Sequence, residues 1–176
     1  GKEAIFCYAS ALELHGLSRY GLTNKYYLAT NRSKREKILD ELTIAFVDLR
    51  SADVGVEETT VGSKTVRTTN LERTIIDCLH KPKYCFGWEN VNFALSKVRK
   101  VDSGKISKYL KQLATAGLFA KVGYTLEYFE EAWQVPKDIL EELRLYTPKR
   151  PVRFITDVPG RLDKRWNLYV PEDLFE

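Results

Sequence analysis

The chain has 176 residues, 44% of them hydrophobic and 30% charged, and 28 Lys and Arg against 24 Asp and Glu give a net charge of +4. That length supports a domain with a real core, and the composition is that of a soluble globular protein, not of a disordered or fibrous chain. No apolar run approaches the roughly 18 residues that cross a bilayer, no charged-then-apolar leader opens the chain, and the mild basicity falls short of a dedicated nucleic-acid binder.

A soluble, cytoplasmic protein without membrane contact is therefore expected. The chain starts at Gly1 and contains no Met, so a piece of a longer protein is expected too. Its three cysteines, Cys7, Cys78 and Cys85, cannot all pair, which speaks against a disulfide framework and for a reducing compartment.

"YASALELHG" (8–16) reads as a short helix, with Ala9 and Leu12 on its packed side and Gly16 as its stop. "KYYLAT" (25–30) and "LTIAFVDL" (42–49), rich in β-branched and aromatic residues, read as strands. Between them "NRSKREK" (31–37) reads as a basic, polar connection. "VGVEETTVGSKTVRTT" (54–69) reads as two strands around a Val61-Gly62-Ser63 turn.

A helix is expected from about residue 70. Thr69 and Glu72 have the spacing of a capping box, and Leu71, Ile75, Ile76 and Leu79 give it one apolar face. "WENVNFALSKV" (88–98) follows as a second helix. "SGKISKYLKQLATAG" (103–117) is a third, with Ser103 as N-cap and Gly117 as stop. "PKDILEELRLY" (136–146) begins with Pro136 in a first turn, where its missing N–H costs nothing. Two short strands, "VRFIT" (152–156) and "WNLYV" (166–170), flank Pro159 and Gly160.

The expected class is α+β, one compact domain: a short helix and strands in the N-terminal half, helices in the second half, short C-terminal strands. "LFAKVGYTLEYFEEAW" (118–133) stays open, because its apolar residues fit a helix and equally a strand pair turning near Gly123.

The chemistry-bearing patterns are sparse. Cys78, His80 and Cys85 stand at C-x-H-x4-C, but without a second tight pair they read as small core residues, not as a metal site. His15 and His80 are the only imidazoles, and His15, just before Gly16, sits where a helix C-terminus favours a cation. No nucleophile elbow, phosphate loop or dinucleotide fingerprint occurs. Glu127, Glu130, Glu131, Asp138, Glu141 and Glu142 read as a solvated acidic face. Neither a catalytic set nor a cofactor is expected, and a hydrolase would need acidic residues converging in space.

Nucleic-acid contact has more to offer. Lys105, Lys108 and Lys111 lie three apart, and 105–128 reads as the second half of a winged helix, a basic recognition helix followed by a Gly-containing wing. Arg32, Lys34 and Arg35 in the polar connection suit phosphate or an acidic partner equally well.

Four separated stretches in order, "YASALELHGLS" (8–18), "TTNLERTIIDCLHKP" (68–82), "KVGYTLEYF" (121–129) and "RWNLYVP" (165–171), resemble the C-terminal domain of AbiEi-type antitoxins of abortive-infection type IV toxin–antitoxin systems. The motif residues carried over are Ser10, His15 and Gly16 of "SAL-x-x-HGL"; Glu72, Arg73, Thr74 and Asp77 of the "ERT" helix; and Gly123, Tyr124 and Glu127 of "GY-x-LE", an element that is helical in the family. The resemblance implies a domain that opposes a nucleotidyltransferase-like toxin without a long-lived complex. In the family an N-terminal winged helix binds the promoter, and this chain does not supply it. Arg73 and Asp77, four apart on one helix face, are expected to buttress the fold by tying their helix to the "SAL-x-x-HGL" helix through buried hydrogen bonds, with Glu72 as a cap.

Overall fold

The computed structural model describes residues 4–21, 23–30 and 35–176. The fold mixes helix and strand as expected: strands dominate the first half, helices follow, and short strands close the chain. It divides into two compact units, Gly1–Val98 and Arg99–Glu176.

The first unit is a six-stranded sheet carrying helices. Its strands are β1 (Ile5–Phe6), β2 (Lys25–Ala29), β3 (Lys37–Leu39), β4 (Leu42–Val47), β5 (Val56–Val61) and β6 (Lys64–Thr69), in the spatial order β3-β4-β2-β1-β6-β5. The pairs β1–β6 and β2–β4 are parallel and the other neighbours antiparallel. Two tight hairpins build the edges. In one, Asp40 takes a left-handed conformation between β3 and β4; in the other, Gly62 does so between β5 and β6. Because strand side chains alternate, Ile5, Tyr27, Ala29, Ala45 and Thr69 are buried, while Phe6, Tyr26, Leu28, Ile44, Phe46 and Val66 are half-buried.

Helix α1 (Ala9–Leu14) packs on β2 and β6. Helix α2 (Leu71–His80) is the buried one, with only Leu71 and His80 less than fully covered. A 3-10 turn (Pro82–Cys85) and α3 (Trp88–Lys97) complete the unit. Several sequence expectations need correcting here. The cap of α2 is Asn70, whose side chain accepts the Arg73 N–H at 3.0 Å, and Thr69 ends β6 with its hydroxyl turned to Thr74. Strand β3 begins at the end of the segment read as a polar connection, and β1 was not foreseen.

The second unit holds α4 (Ser103–Leu113), α5 (Ala116–Tyr128), α6 (Glu130–Trp133) and α7 (Lys137–Arg144), with a three-stranded sheet β7 (Val152–Arg153), β9 (Leu168–Val170), β8 (Arg161–Asp163) in that order. Ile106, Leu110, Val122, Leu126, Leu143, Trp166 and Leu168 form its dry centre. Asp102, not Ser103, caps α4, accepting the Lys105 N–H at 3.0 Å. Gly117 is no stop: α4 ends at Leu113, Ala114 turns extended, and Gly117 lies in the first turn of α5. Residues 116–128 are continuous helix, so the wing expected after Lys111 is absent, and the open segment 118–133 becomes the rest of α5 followed by the short α6. Pro136 precedes α7 as its cap. Among the described residues no helix is long and apolar enough to cross a membrane.

Candidate functional site

The motif residues gather at two polar hubs, one inside each unit. The first begins where β1 runs into α1. Beyond the β1–β2 ladder the Tyr27 N–H lacks a strand partner, and the buried Ser10 hydroxyl accepts it at 2.8 Å. At the other end of α1, Gly16 at φ +70° closes the helix: its N–H reaches the Glu13 carbonyl at 3.0 Å and the Leu17 N–H reaches Leu12 at 2.8 Å. Those two bonds satisfy the orphaned carbonyls of the last turn, and only a residue at ease with positive φ permits them. His15, the cap before that glycine, bonds through Nε2 to the Thr69 carbonyl at 2.8 Å and so fixes α1 to the end of β6.

Arg73 is the centre of this hub. It is 1% exposed. Its Nε donates to both carboxylate oxygens of Asp77 at 2.9 and 3.0 Å. The rest of the guanidinium leaves the helix: Nη1 donates to the Ser51 and Val54 carbonyls at 3.0 and 2.8 Å, and Nη2 to the Arg50 carbonyl at 2.7 Å. The loop that offers those carbonyls has two residues in left-handed conformation, Ser51 and Gly55. An arginine fork suits this arrangement because it aims several donors in fixed directions.

The expected tie is thus corrected. The charged pair anchors α2 to the loop after β4, not to α1, and His15 makes the link from α1. Glu72 sits buried in the first turn of α2, one position too early for a capping box now that Asn70 is the cap; its negative charge there suits the positive helix end. Thr74 closes the knot, its hydroxyl 2.7 Å from the Thr69 hydroxyl and donating to the Asn70 carbonyl at 2.7 Å.

Burial pushes the Asp77 carboxyl up from 3.8 to about 6, against the opposing pull of Arg73. Such a shift can mark a reactive acid. Here, however, both oxygens face an arginine that is itself buried, which leaves no approach for a substrate.

The second hub is built around α5. An ideal Cβ on Gly123 would lie 2.1 Å from the Trp166 ring. Glycine is therefore what lets the fully buried indole lie on the helix backbone. One turn later Glu127 accepts from the Trp166 Nε1 at 2.8 Å, from Arg144 at 2.5 Å and from Arg165 at 3.1 Å. The Arg144 guanidinium also lies 5.3 Å from the centre of the Trp166 ring. Asp163 holds the turn beneath, accepting the Arg165 and Trp166 N–H groups at 2.8 and 3.2 Å. Glu127 is thus removed from the solvated acidic face assumed for it. Tyr124, half-buried, meets the rings of Phe154 and Phe175.

The basic candidates divide. Lys105 and Lys108 are exposed on α4, whereas Lys111 is ion-paired with Glu142 of α7. Arg35 is exposed; Arg32 and Lys34 lie outside the described residues. No group of three or more metal-ligating side chains occurs among the described residues.

Sequence reasoning missed Trp166, Asp163, Arg144 and Arg165 as partners of the motif, and the three loop carbonyls altogether. A glycine inside a helical pattern was the available signal for the first, since it marks close approach. Carbonyls carry no residue signature.

No protein-family model matches the chain, and no curated protein matches its sequence. In fold it is similar to the crystal structure of the RV2827C protein from Mycobacterium tuberculosis, with a TM-score of 0.65 and 12% identity. The match covers 97% of this chain and 63% of that one, less than two thirds of its length. At that identity the likeness is one of fold alone.

Proposed function

We propose that this chain is the antitoxin domain of an abortive-infection type IV toxin–antitoxin system, similar to the AbiEi type. In this reading it counteracts a nucleotidyltransferase-like toxin in the cytoplasm, without catalysis or cofactor of its own, and does not itself read promoter DNA.

The supporting observation is the placement of the three motifs. Ser10, His15 and Gly16 set one helix, Arg73 with Asp77 locks another to its loop while Thr74 ties it to the end of β6, and Gly123 with Glu127 seats Trp166. Residues spent on shaping a fold suit a protein that works through its surface. The missing wing also weakens DNA reading by 105–128, since a recognition helix without its flanking contacts has fewer phosphates to hold.

Co-expression with the neighbouring toxin gene is the test. Relief of growth arrest is expected; arrest that persists with folded chain present at matched levels would sink the proposal. A gel shift with promoter DNA at two salt concentrations separates the other reading. No shift is expected, while salt-sensitive binding abolished by changing Lys105 and Lys108 to Glu would favour DNA recognition by the chain itself.

A further inference from the structure

Cys78 and Cys85 belong to neither hub, yet they are the two sulfurs brought closest together. Cys78 lies in the last turn of α2 and Cys85 ends the 3-10 turn, both buried and both free thiols. The Cys85 Sγ lies 2.9 Å from the Cys78 Sγ, within 1 Å of the roughly 2.05 Å of a disulfide bond.

The turn that carries Cys85 is held in place by hydrogen bonds at both ends. The Gly87 N–H bonds to the Pro82 carbonyl at 3.0 Å, and Asn90 Nδ2 bonds to the Cys85 carbonyl at 2.9 Å. Lys81 ties the start of the turn to Asp77 through its N–H at 2.9 Å. The third thiol points elsewhere: Cys7 Sγ faces the Tyr27 carbonyl at 3.7 Å.

We propose that Cys78 and Cys85 are a reversible modification site, closing to an intrachain disulfide when the protein meets a low-molecular-weight disulfide. One thiol, as thiolate, attacks the small disulfide and expels one small thiolate, leaving a mixed disulfide on the chain. The second thiolate attacks the chain sulfur of that mixed disulfide and expels the other small thiolate. The two cysteine protons end on the two small thiols, so two cysteines are oxidised as one small disulfide is reduced.

Burial raises the Cys78 thiol well above its usual value and excludes reagent, so the first attack waits on local opening of the 3-10 turn. The loop closed is short, and the bond therefore acts less as a stabilising framework than as a latch. It would hold Tyr84 and Phe86 in place, whose rings meet Tyr8 and Tyr27 at 5.1 to 6.0 Å. The small core residues of a C-x-H-x4-C spacing thus gain a chemical role without a metal.

The test uses the folded chain, reduced and then treated with excess oxidised glutathione under native conditions. The sample is acid-quenched, unfolded and alkylated, and its tags are counted by mass spectrometry. One tag, on Cys7, is expected, with the mass otherwise lower by two hydrogens. Trypsin cuts after Lys83, between the two cysteines, so only a disulfide would keep their peptides together. Cys85→Ser should instead stop at a glutathione adduct on Cys78 or remain unmodified. Three tags on the native chain, a stable glutathione adduct without closure, or a bond that includes Cys7 would each overturn the proposal.

Discussion

The two hubs are opposites in charge and in the partners they choose. In the first unit a buried cation, Arg73, collects one carboxylate and three backbone carbonyls. In the second an anion, Glu127, 14% exposed at its side chain, collects three side-chain donors from Trp166, Arg144 and Arg165. The dry hub fixes a loop through backbone carbonyls alone, so no loop side chain takes part in the contact. The wetter hub fixes an indole against a glycine, and every partner's identity matters. Loss of Arg73 should therefore be felt as backbone release, and loss of Glu127 as loosened side-chain order.

Removing the central cation is the harshest way to break the comparison. Arg73→Met leaves one carboxyl and three carbonyls unmatched, and a loss of about 3–5 kcal/mol in urea unfolding is expected, as for other broken buried pairs. Next comes Gly123→Ala, whose methyl would meet the Trp166 ring; about 1–3 kcal/mol should be lost, with a shift in tryptophan fluorescence.

Asp77 gives the first hub a pH signature. Its folded pKa of about 6 lies above the ordinary 3.8, so the folded state holds the proton more tightly than the unfolded one. The stability this contributes is full below about pH 4 and is lost as pH rises through about 6. Asp77→Asn, neutral throughout, should remove that decline, and unfolding of both proteins across this range checks it.

Glu127→Gln keeps an acceptor for Trp166 while discarding the charge offered to both arginines, and about 1–2 kcal/mol is expected. The smallest effect belongs to Lys111→Ala, which breaks a half-exposed pair with Glu142. The unfolding midpoint should move least of all in this series. A Glu127 variant as damaging as Arg73→Met would erase the distinction between the hubs.

Much of the fold could be read from apolar spacing. Helices α2 and α3 lie where their periodicity placed them, α4 starts where expected but ends at Leu113, and β2, β4, β5 and β6 lie where β-branched runs placed those. Helix α5 could not be read that way, because its apolar residues satisfy both periods; the GY-x-LE resemblance chose helix, and Gly123 against Trp166 gives the physical reason. Strands β1, β3 and β8, of two or three residues each, are too short to carry alternation and exist through their neighbours. The caps slipped by one residue at Asn70 and Asp102, since each stands beside a second residue type that also caps. At the candidate sites Arg73 and Asp77 were legible as a pair, but the loop they serve was not, being recognised through carbonyls that every residue has.

The most direct test of whether these charges are architectural is limited trypsin digestion of Arg73→Lys beside the native chain. Lysine keeps a charge for Asp77 but cannot fork to the carbonyls of Arg50, Ser51 and Val54. A new early cut after Arg50, with the rest of the digest unchanged, is expected. An identical digest with an unchanged unfolding midpoint would contradict the claim that Arg73 holds this loop.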